Sequence, residues 1–154
     1  MSKYKEIGIN RKAHYDYEIT DTWEAGVVLF GTEVKSLRNN KVSLSDAYAG
    51  LTADDEVYVY QMNIPKYSMA KLTNHEPKRN RKLLLKKREI KKLIGLLKKS
   101  GYSLIPLKIY FNEKGFVKLS IGLGKGKRSI DKRKTIKERE WNREKSRILK
   151  NSFK

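Results

Sequence analysis

The regular spacing of apolar residues stops at Gly124, and that boundary limits how much of the 154-residue chain can fold around a core. From Lys125 to Lys154 thirteen residues are basic and four are acidic, so this stretch holds +9 of a formal net charge of +19. Its apolar residues, Ile130, Ile136, Trp141, Ile148, Leu149 and Phe153, are too few and too unevenly spaced to form a continuous stripe at helical period. A segment of that kind buries too little apolar surface to offset its ordering entropy. It is expected to be disordered or only partly helical when free, with Glu140–Arg143 and Glu144–Arg147 available to support a helix once a polyanion is met. The expected organisation is a folded body over residues 1–124 and a basic tail over 125–154.

Composition narrows the partners. The chain is 38% hydrophobic and 34% charged, and its longest apolar run is Val27-Val28-Leu29-Phe30, far short of the roughly 20 residues a membrane span needs. The N-terminus has no signal-peptide apolar region, so a cytoplasmic protein used as the whole chain is expected. Without cysteine, thiol catalysis, disulfides, iron–sulfur clusters and cysteine-containing zinc sites are excluded. A pI near 10 points to polyanions. Nucleic acid comes first among them, because each phosphate neutralised by Lys or Arg releases a counterion.

Within the body the pattern is mainly β. Tyr15 to Phe30 reads as a strand, with Tyr15, Tyr17 and Ile19 alternating against Asp16, Glu18 and Thr20. A short amphipathic helix follows from Gly31-Thr32 to Arg38, closed by Asn39-Asn40, with Val34 and Leu37 facing inward. Ser45–Thr52 and Glu56–Ile64 form a hairpin around Ala53-Asp54-Asp55. A long helix is predicted over Lys82–Ser100, with Leu83, Ile90, Leu93, Ile94 and Leu97 on its apolar face. A last hairpin pairs Leu104–Phe111 with Phe116–Leu123. Short strands with two interposed helices suggest a small, partly open, OB-fold-like barrel with flanking helices, the alternative being another α+β arrangement.

Catalytic signatures are sparse. His14 and His75 stand in no metal-ligand spacing, and a solvated or hydrogen-bonded structural role is expected for each. Asp16, Glu18, Asp21 and Glu24 could hold divalent cations in a small nuclease, but a solvated strand face explains the same alternation. No enzyme activity, metal or cofactor is therefore expected. Gly124-Lys125-Gly126-Lys127 lacks the spacing of a phosphate loop and reads as a hinge and basic linker. Positive evidence comes from residues 78–99, where eleven basic side chains face the single acid Glu89. Like charges such as Lys82–Lys86, Lys87–Lys91 and Arg88–Lys92 repel at helical spacing, which an anionic partner would relieve. Asn10-Arg11-Lys12 adds a second basic spot, and Tyr15, Tyr17 and Trp23 serve either as base-stacking platforms or as core. No helix-turn-helix or zinc-finger pattern occurs, which favours structured RNA recognised by shape and phosphate.

The order of motifs resembles the SmpB family of SsrA-binding proteins, partners of tmRNA in bacterial ribosome rescue. The carriers are Asn10-Arg11-Lys12-Ala13, Glu24-Ala25-Gly26, the run Gly31 to Arg38, the run Pro77 to Leu85, Gly126-Lys127-Arg128, Asp131-Lys132-Arg133 and Ile136 to Trp141. The resemblance implies an OB-fold body holding the tRNA-like domain of tmRNA, with Asn10, Glu24 and Leu84 at RNA-contact positions. Arg11, Lys12, Lys35, Arg38, Arg79, Arg81 and Lys82 are the basic candidates around them. It also implies a monomer that travels with aminoacylated tmRNA and elongation factor Tu to a stalled ribosome. There the tail, through Lys125, Gly126, Lys127, Arg128, Ile130, Asp131, Lys132, Arg133, Ile136, Lys137, Arg139 and Trp141, would become helical against small-subunit rRNA in the vacant decoding centre and mRNA channel. Two positions depart from the family: Ile130 stands where an aromatic or imidazole ring is frequent, and Tyr15 where His is common. A general ribosomal protein with a basic extension fits the composition equally well, and the motif order is what separates the two.

Overall fold

The computed structural model describes residues 4–99, 101–127 and 129–152, and within the last segment the side chains of 133 and 136–150. In chain order the elements are β1 (Lys5–Ile9), α1 (Ala13–Asp16), β2 (Tyr17–Val27), α2 (Gly31–Arg38), β3 (Tyr48–Leu51), β4 (Val57–Tyr60), β5 (Arg81–Leu84), α3 (Lys87–Leu97), β6 (Tyr102–Phe111), β7 (Val117–Gly126) and α4 (Ser129–Ser152). All strand pairings are antiparallel, in the order β1-β6-β3-β4-β5-β2-β7, and β7 returns to pair with β6. β6 therefore takes β7 along one edge and β3 and β1 in succession along the other, closing a barrel of OB-like form.

Alternation fills the interior. Ala25 from β2, Val57 and Val59 from β4, Leu83 from β5, Leu104 and Ile109 from β6, and Leu119, Ile121 and Leu123 from β7 form one buried cluster with Leu37 of α2 and Leu93 of α3. Closure depends on Gly124. A Cβ there would lie 2.7 Å from Ile105 Cδ1 and 2.9 Å from Tyr17 Cβ, and the second of these is fixed to backbone. The final hairpin turns where Asn112 accepts from the amides of Lys114 and Phe116 at 3.0 and 2.9 Å, with Gly115 at φ +83°.

Several expectations need correcting. Residues 81–84 are not the start of the long helix: they form β5, between β4 and β2, with Val59 opposite Arg81 and Val57 opposite Leu83. Leu83 is thus barrel core, and α3 begins at Lys87, where Glu89 accepts the Lys86 amide at 3.0 Å. Tyr15 belongs to the short helix α1, and the first strand, β1, had no clear sequence signal. Lys125 and Gly126 are not hinge: their backbones pair with Glu18 and Tyr17 of β2, so the barrel extends two residues beyond Gly124. After Lys127 the chain enters α4. Lys127 is anchored to α1, its amide donating to the Asp16 carbonyl at 2.9 Å and its ammonium to the His14 carbonyl at 2.7 Å.

Candidate nucleic-acid interface

The interface rests on a buried charge network. Glu33, on the inner face of α2, and Arg81, on the inner face of β5, have no exposed side-chain surface and are paired through Arg81 Nε and Glu33 Oε2. Arg81 also donates to the carbonyls of Met62 at 2.6 Å and Pro77 at 3.1 Å. Arg79 Nη2 donates to Glu33 Oε1 at 2.6 Å and to the Val28 carbonyl at 3.2 Å. Burial would raise the Glu33 carboxyl, but hydrogen bonds from Arg79, the Phe30 amide and Arg81 outweigh it and hold the group below its ordinary value. The network ties the β5 approach to α2 and to the end of β2. It also removes Arg81 from the RNA-contact candidates: a guanidinium enclosed on every side positions its neighbours and reaches no phosphate.

On the outside of the barrel the register produces a continuous face. Leu84, Gly26, Lys118 and Tyr110 lie side by side across β5, β2, β7 and β6, and Glu24, Ser120 and Lys108 form the next row. Gly26 gives Leu84 its place, since a Cβ at 26 would stand 3.3 Å from Leu84 Cβ; the leucine lies over the strand, 53% exposed. The Tyr110 hydroxyl donates to Glu24 Oε2, fixing one carboxylate oxygen of an exposed side chain and leaving the remaining acceptor sites for a ligand. Burial and the neighbouring Glu24 push the Tyr110 phenol well above its usual range, so the hydroxyl remains a donor. Lys108 Nζ lies 5.5 Å from the Tyr110 ring and 5.7 Å from the Tyr4 ring. Two lysines, a braced carboxylate and an exposed leucine suit an RNA backbone with base or ribose donors beside it.

Sequence candidates thus fall into separate groups. Glu24, Lys82 and Leu84 meet on this face, where Lys82 is paired with Glu56 at 3.0 Å, and Arg79 lies at its β2–β5 end. Asn10 is buried, its side chain donating to the Pro106 carbonyl at 3.0 Å. It lines a cleft of about 430 Å³ with Lys12, Tyr17, Asp46 and Tyr48. Arg11 and Lys12 are exposed beside it. Lys35 and Arg38 are exposed on α2, Lys35 lying 5.6 Å from the Tyr67 ring. Lys108, Lys118 and Tyr110 were missed, because only strand register shows that they flank Glu24. His75 is buried between the Thr32 hydroxyl at 2.9 Å and the Ile64 carbonyl at 2.8 Å; the carbonyl can only accept, so Nε2 carries the proton in a structural role.

The tail candidates lie on or before α4. Arg133, Ile136, Lys137, Arg139 and Trp141 are exposed, Arg128 lies outside the described residues, and so do the side chains of Ile130, Asp131 and Lys132. Among the described residues no three His, Asp or Glu side chains gather to hold a metal ion, and no helix is long and apolar enough to cross a membrane.

Comparison with known proteins gives the chain's relatives. The chain is 54% identical over 145 residues to the SsrA-binding protein of Afipia carboxidovorans, covering 94% of this chain and 92% of that one. It is 53% identical over 147 residues to the SsrA-binding protein of Wolbachia pipientis wMel, covering 96% and 98%. Among solved structures it matches a chain described under "tmRNA-SmpB: a journey to the center of the bacterial ribosome", with TM-score 0.66 and 46% identity over 79% of this chain and 85% of that one. The family model for SmpB protein matches residues 7–151, and the chain belongs to that family.

Proposed function

We propose that this protein is a non-enzymatic RNA-binding factor of trans-translation, whose barrel holds the tRNA-like domain of tmRNA and whose tail serves the stalled ribosome. The observation that carries the reading is the meeting of Glu24 and Leu84, separated by sixty residues in sequence, on one lysine-flanked outer face of the barrel. A family of SsrA-binding proteins and a structural neighbour studied with tmRNA on the ribosome support the choice of RNA. The body acts as a monomer bound to aminoacylated tmRNA and elongation factor Tu in the cytoplasm. Tail residues beyond Lys127 follow rRNA phosphates through the decoding centre and empty mRNA channel. Ordering of the tail only in a vacant channel makes that folding step a sensor of stalling.

The test is equilibrium binding of the full chain and of a truncation after Lys127, which leaves β7 complete, to a tmRNA tRNA-like fragment and to an unrelated hairpin across a salt series. Both forms should prefer the fragment with similar affinity. Loss of the preference on truncation would transfer RNA reading from the barrel to the tail. Absence of any preference would leave a general basic RNA binder.

A further inference from the structure

Outward positions of β2 do not end at Glu24. Continuing by twos, Gly26, which pairs with Leu84, is followed by Val28 and Phe30 in alternating exposed positions, 44% and 54% exposed, leading away from Leu84. The backbone runs on in register, the Val28 amide donating to the Lys82 carbonyl at 3.0 Å. Three large apolar side chains at roughly half exposure thus follow one another along the β2–β5 seam, with Lys82 on β5 beside Val28 and the exposed Lys78 and Lys86 before and after β5 in the chain.

Phe30 differs from the other two in being backed by a cation. The Arg79 guanidinium lies 4.1 Å from the ring centroid. That guanidinium is held by Glu33 Oε1 at 2.6 Å, the Val28 carbonyl at 3.2 Å and the Asn80 carbonyl at 3.3 Å. With those donors committed to the protein, Arg79 holds its charge against the Phe30 ring. The ring's own backbone is equally fixed, because Phe30 is the N-terminal cap residue of α2 and its amide donates to Glu33 Oε1 at 2.8 Å. Beside it a Cβ at Gly31 would meet no atom within 4 Å, and Phe30 itself is 54% exposed among the described residues.

We infer that Phe30, braced by Arg79, is a stacking platform for one unpaired nucleobase of the RNA held by the Glu24–Leu84 face. The inference rests on the RNA-binding reading above and adds a subsite to it. An aromatic ring already stacked on a guanidinium continues naturally into a base–ring–cation sandwich, since every base presents a π-face and the cation polarises the ring between them. Because both members are held before the ligand arrives, little ordering entropy is lost on binding. The charge is also complementary: the lysines along the seam meet the phosphates on either side of the extruded base.

The experiment measures binding of the full-length protein and of Phe30→Ala, Phe30→Leu and Phe30→Trp to the tRNA-like fragment and to the unrelated hairpin, over a salt series. Phe30→Ala and Phe30→Leu should each weaken fragment binding roughly 5- to 100-fold without changing the slope of log K against log salt, because stacking releases no counterion. Phe30→Trp should retain the affinity, and its fluorescence, corrected for Trp23 and Trp141 from the parent titration, should be quenched on binding. Parent-like affinity in Phe30→Ala, full rescue by Phe30→Leu, or an unquenched tryptophan in a formed complex would each overturn the platform. If the parent protein does not distinguish the fragment from the hairpin, the tmRNA reading falls instead. The platform is then judged by the same Phe30→Ala ratio and tryptophan quenching on the hairpin's single-stranded loop.

Discussion

The barrel and helix α4 both carry heavy charge, but they handle it in opposite ways. At the barrel's inner wall Glu33 and Arg81 turn charge inward and pair it, with the partly exposed Arg79 bonded to the same carboxylate, so that charge becomes part of what fixes β5 against α2. Every described side chain of α4 is exposed, including Trp141 at 57% and Leu149 at 59%. Among its described side chains, α4 gains from pairs within itself, such as Lys145 Nζ 5.4 Å from the Trp141 ring, each worth a few tenths of a kcal/mol at an exposed site. The barrel's order therefore comes from its own interior. A helix of 24 residues with so little buried surface must draw its lasting order from a partner.

The contrast is sharpened most by breaking the buried network. Glu33→Ala leaves two guanidiniums facing an empty site and should cost about 3–5 kcal/mol of barrel stability in denaturant titration. A loss under about 1 kcal/mol would mean that the arginines escape to water and that the interior does not depend on them. Acid should act through the same group. Glu33 is held below its ordinary 4.5 in the folded chain, so its contribution is complete above that pH and is lost as pH falls through the lower folded value, where the unfolded chain has already taken up the proton. Glu33→Gln should flatten that acid limb, which urea unfolding at stepped pH would read. Next in size is Gly124→Ala. With a Cβ only 2.9 Å from Tyr17 Cβ, strands β2 and β7 must separate, at a cost of about 1–3 kcal/mol. An unchanged midpoint would show that the barrel's closure is looser than its register suggests.

The same division explains what the sequence made legible. Hairpins β3–β4 and β6–β7, helix α2 and the core positions Leu119, Ile121 and Leu123 follow simple alternation or helical spacing, and they stand where that spacing puts them. Strand β5 did not, because Arg81 occupies an inward position and hides the alternation, while the leucines after it satisfy helical period just as well. A charged residue at a core position becomes readable only when its partner on α2 is known. Glu24 and Leu84 came from the family resemblance, whereas Lys108, Lys118 and Tyr110 depend on register, which is set by pairings far apart in the chain. Arg79 was read for its charge, but its Nη1 and Nη2 groups bond to the protein and its cation lies over the Phe30 ring.

A smaller effect should separate the face from the barrel beneath it. Tyr110→Phe removes the donor to Glu24 and should cost about 1 kcal/mol or less, since the carboxylate is exposed and water replaces the bond. Its larger consequence should be for the tRNA-like fragment, weakened several-fold as Glu24 loses its fixed orientation. Equal affinity in calorimetric titration would show that Glu24 needs no brace.

The smallest change in stability is expected in α4. Trp141→Ala should leave the unfolding midpoint of the full chain within about 0.5 kcal/mol of the parent, because the ring is more than half exposed and touches Lys145 of its own helix. Hydrogen exchange should show the same independence, with α4 amides exchanging while Leu119 and Ile121 remain protected. On ribosomes with an empty mRNA channel those α4 amides should slow, and Trp141→Ala should release the protein faster. A destabilisation above 1 kcal/mol would instead mean that α4 docks on the barrel in solution. The tail would then have to leave a site on its own body before entering the ribosome, and stalling would be sensed by exchange between two surfaces rather than by folding on one.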